Sequence, residues 1–225
     1  MSLERTEALL GAKAISRLNG ARVAVVGLGG VGGHIAEALA RSGVGNLHLI
    51  DADIVEQSNL NRQIFATKDV LGQDKVQAAK ARIMAICDCQ VTINKVFVTP
   101  QNVADVLKGN FDMVVDAIDS MQGKLALIEH CKRYSIPILC CMGAGNKLDA
   151  TAFRVADISK TEQCPLARRL RQELRKRNIK DVPVVYSTEK SIKNAVGVIG
   201  SLAPVTGACG LVAAAQVIKM LCKED

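Results

Sequence analysis

The chain has 225 residues, 49% of them hydrophobic, only 3% aromatic, with no Trp and a formal net charge of +7. That apolar content is ample for the core of one large or two small domains, and the chain reads as a soluble globular protein. So few aromatics exclude base stacking as the basis of any nucleic-acid contact, which would have to be electrostatic; the charge excess admits a polyanionic partner without requiring one.

From the N-terminus, residues 5–19 ("RTEALLGAKAISRLN") carry apolar positions at helical spacing up to the stop at Asn19-Gly20. A β-branched strand follows (Val23 to Val26), then a glycine loop and a helix from about Gly32 to Arg41. "NLHLID" completes a βαβ unit. After a polar stretch, "DKVQAAKARIMAIC" reads as helix, "QVTINKVFV" as strand, "NVADVLKG" as helix, "FDMVVDAID" as strand, "MQGKLALIEHCKRYS" as helix and "IPILCCMGAG" as strand. This alternation predicts an α/β fold: a doubly wound, Rossmann-like, mostly parallel sheet with helices on both faces.

Residues 161–190 differ. "LARRLRQELRKRN" is a basic helix, with six Lys/Arg against one Glu from Arg168 to Arg177, and "VPVVYSTEK" is a further strand. The chain therefore reads as one domain, residues 1–225, with a basic excursion. The uncharged run Asn194 to Ile218 is long enough to span a membrane, but Pro204, Ser201, Thr206, Gln216 and four glycines favour a loop leading into a buried small-residue helix, "GACGLVAAAQVIKML".

Eight Cys (87, 89, 131, 140, 141, 164, 209 and 222) lack the C-x-x-C pairs of a structural zinc site. They read as free thiols, several in apolar segments, in a reducing cytoplasmic compartment. His34, His48 and His130 have no partners at metal-ligand spacing and read as structural.

Gly27-Leu28-Gly29-Gly30-Val31-Gly32 satisfies G-x-G-x-x-G after a strand and at the start of a helix. Such a loop lets backbone N–H groups at a helix N-terminus approach a phosphate. Asp51, 19 residues beyond Gly32, is placed to accept from a ribose hydroxyl. These features fit NAD as well as ATP, and glycines that serve tight packing alone are the plainer alternative. Arg62 and Lys75 then discriminate. Hydride transfer has no use for cations at a pyrophosphate leaving group, whereas nucleotidyl transfer does, because negative charge accumulates there. Asp119, ending the strand "MVVDAID", is a candidate Mg²⁺ ligand.

"GLGGVG", "DADIVEQSNLNRQ", "GQDKV" and "DAIDS", in this order and spacing, resemble the adenylation domain of the ubiquitin-activating-enzyme superfamily. The resemblance implies that ATP and Mg²⁺ convert a carboxylate into an acyl-adenylate. It implies Asp51 on the ribose, Gly29 and Gly30 at the phosphates, and Asp53 and Asn59 beside the nucleotide. Arg62 and Lys75 would engage the phosphates, Gln63 would support Arg62, and Asp119 would serve the metal. Arg5 would reach into the site of a second subunit, which implies a homodimer. Asp53, Asn59 and Gln63 could equally cap and pin their loop.

Two subfamilies compete. Sulfur-carrier adenylyltransferases usually carry zinc-binding C-x-x-C pairs, absent here, and adenylate the terminal Gly-Gly of a ubiquitin-like protein. "NLNRQIFA", "VTPQNV", "CMGAGNKLDATAFRVADISKT" and "CPLARRLRQELRKRNI" instead resemble the tRNA threonylcarbamoyladenosine dehydratases. That likeness implies a tRNA substrate whose threonylcarbamoyl carboxylate is adenylated and then closed into a ring. It gives Arg168, Arg169, Arg171, Arg175, Lys176 and Arg177 a role on tRNA phosphates, against the alternative of a solvated helix. Cys164 becomes a candidate thioester or persulfide carrier, although intramolecular ring closure needs no protein nucleophile. A monovalent cation and a cysteine desulfurase or sulfur-acceptor partner stay open.

Overall fold

The computed structural model describes residues 1–192 and 197–223. One seven-stranded sheet runs through it in the order β3-β2-β1-β4-β5-β7-β6. The strands are β1 (Arg22–Val26), β2 (Asn46–Ile50), β3 (Gln90–Asn94), β4 (Met113–Asp116), β5 (Ile138–Cys141), β6 (Phe153–Asp157) and β7 (Pro183–Ser187). All neighbours pair in parallel except β6, which runs antiparallel to β7 along the edge.

Alternation along β1 shows how the layers are set. Val23 and Val25 enter one core with Leu18, Ile35, Leu39, Ile83 and Val217, whereas Ala24 and Val26 enter the other with Leu127, Ile128, Leu170 and Leu174. The first core is covered by α2 (Ala12–Gly20), α3 (Gly32–Arg41), α4 (Lys75–Met84) and α8 (Ala203–Cys222); the second by α5 (Val103–Val106), α6 (Met121–Arg133) and α7 (Pro165–Lys176). A strand with helices on both sides must be apolar at successive positions, as "RVAVV" is. Full burial of each such Val, Leu or Ile contributes about 1.5–3 kcal/mol.

The helix expected over residues 5–19 is two helices. Gly11 takes φ +83° and separates α1 (Glu4–Leu10) from α2, a break that costs glycine nothing sterically. The strand expected over residues 90–98 pairs only as far as Asn94, and Val96, Phe97 and Val98 leave the sheet. β6 carried no strand expectation: its "FRVAD" is half-exposed at an edge.

The long apolar segment near the C-terminus is α8, whose mean hydropathy of 1.7 over its best window and length of 20 residues would suffice to cross a membrane. It packs on α3 instead. Gly210 lies against Val31 O and His34 Cβ, and Gly207 faces the His34 ring, so small residues bring the two backbones close. Residues 194–196, part of the loop expected before this helix, lie outside the described residues.

Candidate active site

The order 3-2-1-4-5 places a switch point between β1 and β4, where crossovers leave in opposite directions and open a crevice at the strands' carboxyl ends. A cavity of about 700 Å³ occupies it. Its walls come from the ends of β1 (Gly27, Gly29, Gly30), β2 (Asp51, Asp53) and β4 (Ala117, Ile118, Asp119), from the loop bearing Asn59, Arg62 and Gln63, from Lys75, and from Val96, Phe97 and Val98.

The glycine turn is shaped by close approach. Gly27, at φ +90°, has Ala117 C and O 2.9 Å from where a Cβ would stand, and a Cβ on Gly32 would stand 1.7 Å from Gly27 O. No side chain fits at either place, so the turn lies flat over the start of α3. Gly32 serves the turn's shape rather than the cavity wall. Asp51 then ties the turn to β2: Oδ2 accepts from Leu28 N at 2.6 Å and Oδ1 from Asp53 N at 2.9 Å.

Both cations line the cavity. Arg62 passes over Gly30, its Cγ 3.3 Å from a Cβ position there, and its Nη1 donates to Ser58 O (2.8 Å) and Asn61 Oδ1 (2.9 Å). A guanidinium has five N–H donors, so Nε and Nη2 keep donors for a ligand. Lys75 opens α4, and its buried Nζ donates to the exposed carboxylate of Asp53 at 2.8 Å. Two further donors on that ammonium are available.

Asn59 both lines the cavity and pins its loop. It is buried on the cavity wall, and its Oδ1 accepts from Glu56 N at 3.1 Å in a capping box that fixes the loop. Gln63, expected to support Arg62, is buried with Nε2 facing Gly29. Asp119 is exposed on the cavity wall with no partner among the described residues. Arg5 is exposed on α1 and does not line the cavity of its own chain.

The basic helix differs from expectation. Arg171 turns inward, its Nη1 donating to Thr161 O and Oγ1, both at 2.7 Å. Lys176 pairs with Glu173, and Arg177 bridges Glu173 and Glu129. Intrachain acceptors therefore occupy three of the six residues assigned to nucleic acid, and Arg168, Arg169 and Arg175 remain exposed. Cys164 is buried and caps α7, its Sγ accepting from Ala167 N at 3.5 Å; it does not line the cavity. His34 contacts Gly30 O, His48 contacts Thr92 Oγ1, and His130 meets the Tyr134 ring at a tilt.

One pair was not foreseen. Asp116 and Lys124, 2.8 Å apart, are wholly buried under the cavity floor. Burial works against the Lys124 charge, but the adjacent carboxylate outweighs it and holds the ammonium above its ordinary pKa. Burial and the same carboxylate push the nearby Cys131 thiol up to about 12. The signal was present: Asp116 closes an all-buried strand, and Lys124 interrupts the apolar run of α6.

A glycine turn, an aspartate at the tip of the next strand and two cations lining one cavity at the switch point of a doubly wound sheet are the features expected of an adenylating nucleotide-binding protein, and the chain belongs to the ThiF family, whose model matches residues 3–225. More particularly, it is 43% identical over 190 residues to the tRNA threonylcarbamoyladenosine dehydratase of Bacillus subtilis, covering 84% of this chain and 75% of that protein. The protein of the same name from Escherichia coli is 44% identical over 193 residues, 82% and 72% of the two chains. The solved E. coli enzyme in complex with ATP superposes with a TM-score of 0.92 at 40% identity, over 97% of this chain and 93% of that one. Its complex with AMP gives a TM-score of 0.93 at 40% identity over the same shares. E. coli MccB with ATP, at 21% identity and a TM-score of 0.66 over 94% and 59% of the chains, shares the fold.

Proposed function

We propose that the chain is an ATP-dependent tRNA-modifying enzyme that adenylates the threonylcarbamoyl carboxylate of a modified adenosine and closes it, with loss of water, to cyclic threonylcarbamoyladenosine. The observation that carries this reading is that Arg62 and Lys75 line one cavity together with the glycine turn and the Asp51 carboxylate tied to it.

The chemistry follows from that geometry. A carboxylate oxygen of the substrate attacks the α-phosphorus of ATP, and the bond from that phosphorus to the bridging oxygen of pyrophosphate breaks. Negative charge grows on the departing pyrophosphate, where the Arg62 and Lys75 donors left over from Ser58, Asn61 and Asp53 are preorganised to meet it. An atom of the carbamoyl group then attacks the acyl carbon and AMP departs, carrying away the carboxylate oxygen. Both partners of that second step belong to one molecule, so the effective concentration of nucleophile is high and Cys164 is not called upon.

Mg²⁺ fits this site in one form only. Among the described residues no group of three or more His, Cys, Asp or Glu could cage a metal ion. Mg²⁺, however, is commonly held by one or two carboxylates, several waters and the substrate's phosphates, and the unpartnered Asp119 suits that arrangement. When bound, the ion neutralises phosphate charge.

The exposed Arg168, Arg169 and Arg175 are assigned to tRNA phosphates. A homodimer is supported by the exposed apolar side chains Val198, Ile199, Leu202 and Leu211, and would let Arg5 act on the partner's site. Its compartment is assigned as the cytoplasm.

The deciding experiment incubates the protein with ATP and either tRNA bearing threonylcarbamoyladenosine or a carrier protein ending in Gly-Gly, followed by mass spectrometry. The expected result is loss of one water from the tRNA nucleoside and an unmodified carrier; an adenylated carrier with unchanged tRNA would reverse the assignment.

A further inference from the structure

Beneath the cavity lies a charge pair that no ligand reaches. Lys124 Nζ is 2.8 Å from Asp116 Oδ2 and 2.9 Å from Cys141 O, so it joins the end of β4, the end of β5 and the first turn of α6. The other oxygen, Asp116 Oδ1, accepts from Ile118 N at 3.2 Å. Ile118 and Asp119 form the turn that leaves β4, and Ser120 fixes its far end by capping α6 through Gly123 N, also at 3.2 Å. The same turn supports the glycine loop: Ala117 N donates to Val26 O at 2.8 Å, and Ala117 is the residue Gly27 lies against.

Stability alone does not call for charge here. Apolar residues of matching volume commonly replace a buried ion pair with no loss, or with a gain. What they lack is an acceptor for the Ile118 N–H, and with it the anchor of the Asp119 turn. Nor does the pair reach substrate: neither residue lines the cavity.

We propose that Lys124 is a positioning residue, which fixes the Asp116 carboxylate and through it the turn that holds Asp119 over the nucleotide phosphates. The inference rests on the reading that Asp119 serves the metal.

The test measures the Kd of a non-hydrolysable ATP analogue by calorimetry on the full chain, with Mg²⁺ and again with EDTA, alongside thermal melting. Three variants are compared: Asp116→Leu/Lys124→Met, Lys124→Arg and Asp119→Asn. The apolar double variant should fold and bind the analogue normally in EDTA, yet bind it about tenfold more weakly in Mg²⁺, the scale seen when groups that orient a metal ligand are removed. Lys124→Arg, which keeps the cation, should retain most of the Mg²⁺-dependent affinity. A double variant that binds natively in Mg²⁺, loses affinity equally in EDTA or fails to fold overturns the positioning role, as does an Arg variant no better than it. Undiminished Mg²⁺-dependent affinity in Asp119→Asn instead removes the metal reading, and this inference with it.

Discussion

Two Asp–Lys pairs, Asp53–Lys75 and Asp116–Lys124, have the same 2.8 Å separation and stand on opposite sides of one cavity floor. The first is half open, with a buried ammonium against a carboxylate whose side chain is 67% exposed. The second is sealed at 0% for both members. Water screens the carboxylate of the first pair, and the role proposed for its ammonium exchanges that carboxylate for a phosphate. The second has no competitor, so neither charge can leave without stranding the other. Equal distances therefore describe a movable contact in one place and a fixed one in the other, and burial makes the difference.

The comparison breaks most visibly if one charge of the sealed pair is deleted. Lys124→Met leaves Asp116 uncompensated and should cost about 3–5 kcal/mol, lowering Tm by roughly 10 °C in a thermal melt. Next in size is catalysis. Arg62→Ala should lower ATP–pyrophosphate exchange by about 10²–10³-fold with Tm nearly unchanged, the loss typical of one donor to developing charge. A melt that falls with the activity would make Arg62 a structural residue.

Replacing Arg168, Arg169 and Arg175 together by Gln should reduce the slope of log affinity for tRNA against log salt by about 2, whereas replacing Lys176 alone should leave it unchanged, its charge being matched by Glu173. Asp53→Asn sharpens the contrast from the mild side: with its carboxylate in water and only the ammonium buried, this pair should lose less stability in a thermal melt than the sealed one does in Lys124→Met. The smallest expected effect is a pH dependence. Glu37 is desolvated, but Arg82 and Arg41 outweigh that and hold its pKa below 4.5. Its contribution is therefore complete above pH 4.5 and is lost as pH falls through the lower folded value. Glu37→Gln should flatten the acid limb of a Tm–pH curve.

The parts of the molecule legible from sequence are those with local causes. The glycine turn, the βαβ alternation and the cations on the cavity wall follow from spacing along the chain, because a strand end and the helix after it are neighbours by necessity. Charge pairing across the fold is different. That Arg177 meets Glu129, or that Arg171 turns to Thr161, depends on how α7 lies against its neighbours, which the composition of the helix does not encode. Lys124 was hidden for the opposite reason: a lysine in a helix ordinarily reads as solvated, and only the all-buried strand ending in Asp116 sets it apart.

The glycine turn has a back wall, and α8 supplies it. Thr206 Oγ1 comes within 3.1 Å of where a Cβ on Gly30 would stand, and Gly210 is seated against the carbonyl of Val31, where α3 begins. In chain order α8 is the last of these elements, so ribosomes deliver the β-strands and both cations before the segment that closes the pocket behind the phosphates. A nascent chain halted ahead of residue 203 would thus carry the glycine turn and both cations without the helix that packs behind Gly30.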